Sequence, residues 1–293
     1  MSTNKYDKSF RLLIKDLMDY GDLLLIANKG TGKTNNLMCL AHMVKCTSTR
    51  VIVFEDFPKW CLEFSKVPYL VIEDQDVVET KKAIDIDNVF LTHSKDYTVM
   101  NGTEIRSFLN TNKDCIFTMD LADTDRAAFF VYSIIQYFYR KAYQRKLDGV
   151  KKLERIVFVI EESQNVFDSS VIAKKVFNRL RKIFAIARNL GLHFILASQR
   201  LQDINTKIRG RCRLMLGNVS VDDWELKVKR LLKSSKYQEA ILNFPRGKFV
   251  HAPTDTTYQF PKFKAVGKPY RWSLDEAVAS YTKVEMQVEK LAI

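Results

Sequence analysis

Eight consecutive residues, Ala27-Asn28-Lys29-Gly30-Thr31-Gly32-Lys33-Thr34, set two glycines, a lysine and a hydroxyl in an order suited to holding phosphate. Gly30 and Gly32 permit backbone angles and close approaches that a side chain would block. Successive N–H groups can then converge on phosphate oxygens at the positive end of a following helix. Lys33 has the reach to meet β- and γ-phosphates, and the Thr34 hydroxyl is placed to ligate Mg²⁺. The eight residues match the P-loop pattern, with Ala27 at the usual first glycine.

Hydrolysis at such a loop needs a carboxylate to order the metal and another to polarise water. Arg155–Glu162, R-I-V-F-V-I-E-E, supplies both at the end of an apolar run. In that register Glu161 belongs to the Mg²⁺ shell and Glu162 to the attacking water. Glu161 stands where Asp is usual and is one methylene longer. A second apolar run, G-L-H-F-I-L-A-S-Q-R, ends in Gln199, a polar tip able to sense a γ-phosphate or hold the water. Arg188 closes the helical pattern just before it, where it can either answer the helix dipole or reach a neighbouring subunit's nucleotide.

Short apolar runs must carry these tips, and longer helical patterns must separate them. Strands are expected at Asp22–Ala27, Val51–Glu55, Asn88–Leu91, Asp114–Met119, Arg155–Ile160, Leu192–Ala197 and Arg213–Leu216, with Phe249–His251 as an edge strand. Several are apolar on successive residues, as when helices cover both faces of a sheet. Helices are expected over Lys33–Lys45, Asp125–Leu147, Val171–Leu190 and Val221–Lys233. Within Val171–Leu190, Lys175, Arg179 and Lys182 form a basic stripe that suits either solvent or DNA. Ser273 and Glu276 make a capping box for a last helix, whose Ala277, Tyr281, Val284, Val288 and Leu291 form an apolar stripe. The alternation predicts an α/β fold with a mostly parallel sheet flanked by helices. Gly and Pro are sparse and no repeat occurs, so 1–293 reads as a single domain, with 1–20 a helical lead-in and 252–293 a C-terminal extension ending in a helix.

Lys and Arg outnumber Asp and Glu by 47 to 34 in 293 residues, a net charge of +13. Such an excess suits a polyanion, either nucleic acid or an acidic membrane surface. No run reaches the roughly 18 apolar residues of a bilayer span, so no transmembrane segment is expected. The N-terminus MSTNKYDKSF has no signal-peptide core, and five cysteines without a C-x-x-C pair read as reduced thiols. A cytoplasmic location is expected.

These segments together resemble the FtsK/HerA superfamily of DNA-pumping ATPases. Ala187–Arg200, A-R-N-L-G-L-H-F-I-L-A-S-Q-R, is similar to that family's Arg, Gly-h-h-h-h-h-A-[ST]-Q-R pattern. I-R-G-R-C-R-L-M-L-G-N-V-S resembles the next strand and its lead-in, and Val51–Asp56 the strand after the P-loop helix, where relatives commonly have an Asp. The resemblance implies a RecA-like core that uses ATP and Mg²⁺, in a homo-oligomeric ring of six subunits with double-stranded DNA in the pore. It assigns Lys33 and Thr34 to phosphate and metal, Glu161 and Glu162 to the second acidic motif, Gln199 to the sensor and Arg188 to a trans finger, with Arg209 or Arg211 as a second arginine. About 20 residues precede the first strand, so a nearly bare motor is expected, resembling viral genome-packaging ATPases that work with capsid or virion membrane proteins. The alternatives are a plasmid or conjugation DNA pump, a protein-moving assembly ATPase and a non-motor nucleotide switch.

Overall fold

A computed structural model of the chain describes residues 8–56, 59–64, 67–72, 103–119, 121, 124–167, 174–222, 231–232, 240–263 and 270–271. Among these residues lie ten strands: β1 (Asp22–Ile26), β2 (Arg50–Glu55), β3 (Pro68–Val71), β4 (Cys115–Thr118), β5 (Ile156–Ile160), β6 (Leu192–Ser198), β7 (Cys212–Leu216), β8 (Lys248–His251), β9 (Thr256–Gln259) and β10 (Tyr270–Arg271). They form one sheet in the order β10-β3-β4-β2-β5-β6-β1-β7-β8-β9. Every pairing from β10 to β7 is parallel, and only β7–β8 and β8–β9 are antiparallel. The α/β fold with a mostly parallel sheet is therefore present.

Strand alternation divides the core in two. Leu24, Ile26, Ile52, Phe54, Ile156, Phe158 and Ile160 point to one face, and Leu23, Leu25, Val51, Val53, Val157 and Val159 to the other. The first face carries the larger side chains and packs against α4 (Thr103–Thr111), α5 (Thr124–Leu147), the one-turn α6 (Gln164–Phe167) and α7 (Lys174–Ile186). Stacked rings run across it, Phe54 on Phe117 and Phe158 on Phe194. The second face is covered by α1 (Lys8–Tyr20) and α2 (Lys33–Lys45). In α1, Phe10, Leu13, Ile14, Leu17 and Met18 are buried at the spacing of one helical stripe. The short helices α3 (Trp60–Glu63) and α8 (Thr206–Arg209) follow β2 and β6.

Three expectations need adjustment. Phe249–His251 is not an edge, because β9 pairs outside β8. The helix expected to run to Leu190 tightens into a 3₁₀ turn at Ala187–Leu190, ended by Gly191 at φ 76°. The basic stripe of α7 is not uniform: Lys182 is exposed, but Arg179 is half-buried beside Tyr132 and Tyr139 of α5, where burial lowers its pKa. Asp56, just past β2, accepts the Leu121 amide through Oδ1 at 3.0 Å. The strand expected at Asn88–Leu91, the C-terminal helix, residues 171–173 and most of Val221–Lys233 lie outside the described residues.

Candidate active site

The carboxyl edge of a parallel sheet collects the strand ends, and ligands bind in the crevice outside it. Here β1 leads into Ala27, β6 into Gln199 and β5 into Glu161 and Glu162, on three adjacent strands. Their register is pinned locally. Ala27 N donates to Ser198 O at 3.3 Å, while Ser163 donates to Ala197 O through N at 2.8 Å and through Oγ at 2.7 Å.

The loop from Ala27 to Thr34 takes the backbone that phosphate binding needs. Gly30 and Gly32 have φ of 81° and 96°, and Gly32 starts α2. Lys33 lays its ammonium over the loop, donating to Ala27 O at 2.6 Å and Asn28 O at 3.0 Å. Burial lowers its pKa, against the opposing pull of Glu162 and Glu161. Thr31 Oγ1 donates to Asn28 O at 2.7 Å, and Lys29 is exposed. Asn28 is tied to Asn218, just past β7, by N to Asn218 O at 2.7 Å and by Nδ2 to Asn218 Oδ1 at 3.0 Å.

Glu161 is 7% exposed. Burial raises its carboxyl pKa, and the Thr34 hydroxyl beside it lowers it in partial compensation. The Trp60 indole N–H faces the carboxylate without closing a good hydrogen bond, and Glu161 Oε1 has no partner. A buried carboxylate with an orphaned oxygen beside a hydroxyl is the donor set a hard divalent cation takes. The residues thus fit Mg²⁺, with Thr34 and Glu161 as the groups to hold it.

Glu162 has φ 42°, a left-handed conformation rare for a side chain of its kind and one found at sites where geometry is imposed. Gln164 Nε2 donates to its Oε2, and Gln199 Nε2 donates to the same oxygen at 3.3 Å. Both amides occupy Oε2, which leaves the lone pairs of Oε1 for a water.

Arg188 does not join this group. It sits before β6, at the opposite edge of the sheet, where Nη1 donates to Tyr20 O at 3.3 Å. The five residues of β1 separate it from its own P-loop by roughly 16 Å. Arg209 is engaged with Leu201 O at 3.0 Å, and Arg211 is exposed near Asp22.

Glu55, Trp60 and Asn218 were not legible as site residues. Glu55 ends β2 next to β5, fully buried, with Oε2 accepting Trp60 N at 2.6 Å and Oε1 accepting Thr118 Oγ1 at 2.7 Å. Burial pushes its carboxyl up to about 7, and Glu161 adds to the push. It fixes the turn that carries Trp60 against Glu161. The signal was present: an apolar strand ending in a carboxylate, like β5.

No protein-family model and no curated protein sequence matches the chain. Solved structures do. The bacterial conjugative coupling protein TrwB superposes with a TM-score of 0.55 at 12% identity, over 88% of this chain and 89% of that one. The fold is that of a RecA-like P-loop ATPase. VirB4 of Thermoanaerobacter pseudethanolicus shares this RecA-like frame, with a TM-score of 0.51 at 13% identity, over 86% of this chain and 92% of that one. B204, the DNA-packaging ATPase of Sulfolobus Turreted Icosahedral Virus, superposes more loosely, at 0.49 and 13% identity over 81% and 95%. These structural neighbours are P-loop ATPases of the FtsK/HerA type that the sequence resembles.

Proposed function

We propose that the chain is an ATP-driven translocase of double-stranded DNA, acting as a homo-oligomeric ring. The observation that carries the reading is the convergence of Lys33, Thr34, Glu161, Glu162 and Gln199 on one strand edge, with the unpartnered Glu161 Oε1 beside Thr34. In this reading the loop amides and Lys33 bind the phosphates, and Thr34 and Glu161 would hold Mg²⁺. The metal would neutralise charge building on the β- and γ-phosphates. Glu162, steadied by Gln164 and Gln199, accepts a proton from the attacking water.

Arg188 lies too far from its own P-loop to act in cis, so a catalytic role for it requires a neighbouring subunit, which favours a ring. DNA is favoured by the charge of +13 and by a basic basin of about 450 Å³ at the edge opposite the P-loop, lined by Lys146, Lys151, Lys152 and Arg155. TrwB, the neighbour that superposes best among those named above, is a conjugative coupling protein. The finer reading, a hexamer that moves a viral genome into a capsid, rests on the sequence resemblance. Among the described residues no helix is long and apolar enough to cross a membrane.

The test is ATP hydrolysis by the purified chain, with and without long double-stranded DNA, over a range of protein concentrations. Stimulation by DNA that rises cooperatively with concentration and falls by about 10²-fold or more in Glu162→Gln is expected. Turnover indifferent to DNA and concentration would remove the pump and leave a nucleotide switch or a protein-moving ATPase.

A further inference from the structure

The acidic half of the site lies on one side of β1, toward β6 and β5. On the other side, β7 is followed by β8, and because β8 runs antiparallel to β7 its first residues return to the P-loop edge. The turn before it, Pro245-Arg246-Gly247, is stitched to the loop. Gly247 N donates to Thr31 O at 2.9 Å, and Gly247 O accepts Asn36 Nδ2 at 3.4 Å and Phe260 N at 3.0 Å. The first turn of α2 holds the next segment as well: Asn35 Nδ2 donates to Pro261 O at 2.9 Å, and Asn35 Oδ1 accepts Phe263 N at 2.7 Å.

This stitching leaves one long side chain against the loop. A Cβ on Gly32 would stand 3.2 Å from Arg246 Cγ, so the arginine stem runs along the glycine on which phosphate binding depends. Arg246 is exposed, and among the described residues no ion pair engages its guanidinium. Its backbone is held, since Gln259 Nε2 donates to Arg246 O at 3.1 Å. The root of the side chain is thereby fixed while its planar head is left at the surface.

A nucleoside triphosphate has two ends. The γ-phosphate must face Glu162 and Gln199, so the ribose and base must leave the loop on the opposite side, toward Arg246. We infer that Arg246 is the nucleobase contact of this site, its guanidinium plane stacking on the ring of a bound purine nucleotide. The inference rests on the phosphate-binding reading of residues 27–34. A guanidinium lies flat on aromatic faces, and every base has such a face. The contact therefore responds to ring area more than to edge substituents. Purines are held better than pyrimidines, and adenine is not strongly separated from guanine by this residue.

The experiment is calorimetric titration of the full chain with Mg²⁺ and either ATP or inorganic tripolyphosphate, for wild type, Arg246→Ala, Arg246→Lys and Lys33→Ala. Arg246→Ala should weaken ATP about tenfold or more while changing tripolyphosphate by less than about twofold. Arg246→Lys, which keeps the charge and loses the plane, should behave like the alanine variant. Lys33→Ala should lose both ligands. Equal weakening of ATP and tripolyphosphate in Arg246→Ala would make the residue a phosphate contact and overturn the inference. Unchanged ATP binding, or full rescue by lysine, would overturn it too. In each of those cases wild-type binding leaves the phosphate site standing. Wild-type protein that binds neither ligand would remove both readings. Because β8 is tied through the backbone of Gly247, an unchanged melting temperature is expected for Arg246→Ala and separates lost contact from lost fold.

Discussion

Replacing Glu161 by Gln should make the metal-free protein more stable while removing its response to magnesium nucleotide. The wild-type carboxylate is 7% exposed, Oε1 has no partner, and the neighbouring Glu162 repels it. Leaving a buried polar group unpaired costs roughly 1–3 kcal/mol, and more if it is charged. A neutral amide at the same place removes the charged part, so a gain of about 1–2 kcal/mol is expected in EDTA, or about 2–5 °C in Tm. The gain must depend on pH in a fixed direction. The folded-state pKa of Glu161 is raised by burial, so the native state holds this proton more tightly than the unfolded chain. Stability is therefore lost as pH rises from the ordinary carboxylate value toward the folded one, and the advantage of the variant grows over that interval. At and below about pH 4 the Glu161 carboxyl is mostly protonated in folded and unfolded chains alike, and the two proteins should converge. With Mg²⁺ and nucleotide at a hundredfold excess over Kd the order reverses, because the wild type gains about 2.7 kcal/mol by mass action and the variant lacks the metal's share. Melting curves at pH 4 and pH 8, in EDTA and in magnesium nucleotide, contain every arm. A variant less stable than wild type in EDTA at pH 8, or one with an undiminished magnesium response, would refute the assignment of Glu161 as a metal-holding group.

Two further outcomes follow from packing and charge. A Cβ on Gly217 would come within 2.8 Å of Phe249 Cζ and 2.9 Å of the Ala27 Cβ, so Gly217→Ala should cost about 1–3 kcal/mol in chemical denaturation and weaken nucleotide binding by displacing the start of the loop. Asp22 is buried at the foot of β1, with Oδ1 accepting Phe194 N at 3.0 Å, and desolvation pushes its carboxyl from 3.8 to about 7 despite Arg188 and Arg211. Its folded pKa is raised, so stability falls as pH climbs from about 4 to about 7; Asp22→Asn keeps the acceptor, and denaturation at pH 8 should show a gain of about 1–3 kcal/mol that is absent at pH 4.

Much of the candidate site could be read from the chain because its proposed chemistry is local. Residues 27–34 need only a strand before and a helix after them, and Glu161, Glu162 and Gln199 need only an apolar run that stops. What escaped depends on distant neighbours. β3, β9 and β10 span four, four and two residues, too short for periodicity to register, and they are strands only because the sheet edge pairs them. Trp60 follows β2 by a few residues, but its place against Glu161 comes from the β2–β5 pairing. Arg246 is one of 47 cations until β8 turns back and lays it along Gly32. The Pro-Arg-Gly turn ahead of an apolar run was a visible signal of a strand start, though not of what it would touch.

The position of β1 also sets a schedule. It is the first of the described strands, yet its two sheet partners come late: Leu23 pairs with Ile195 on one side and Arg213 on the other. The segment that braces the loop, around Gly247 and Pro261, comes later still. At about 5–20 residues per second of synthesis, the P-loop waits roughly ten seconds to half a minute for strands to lie beside it. During that interval β1 is an apolar strand with two open edges, exposed to whatever holds nascent chains. A polysome-bound fragment ending before β6 should therefore carry the whole phosphate-binding sequence and bind no nucleotide, so the earliest chemistry translated is among the last to be assembled.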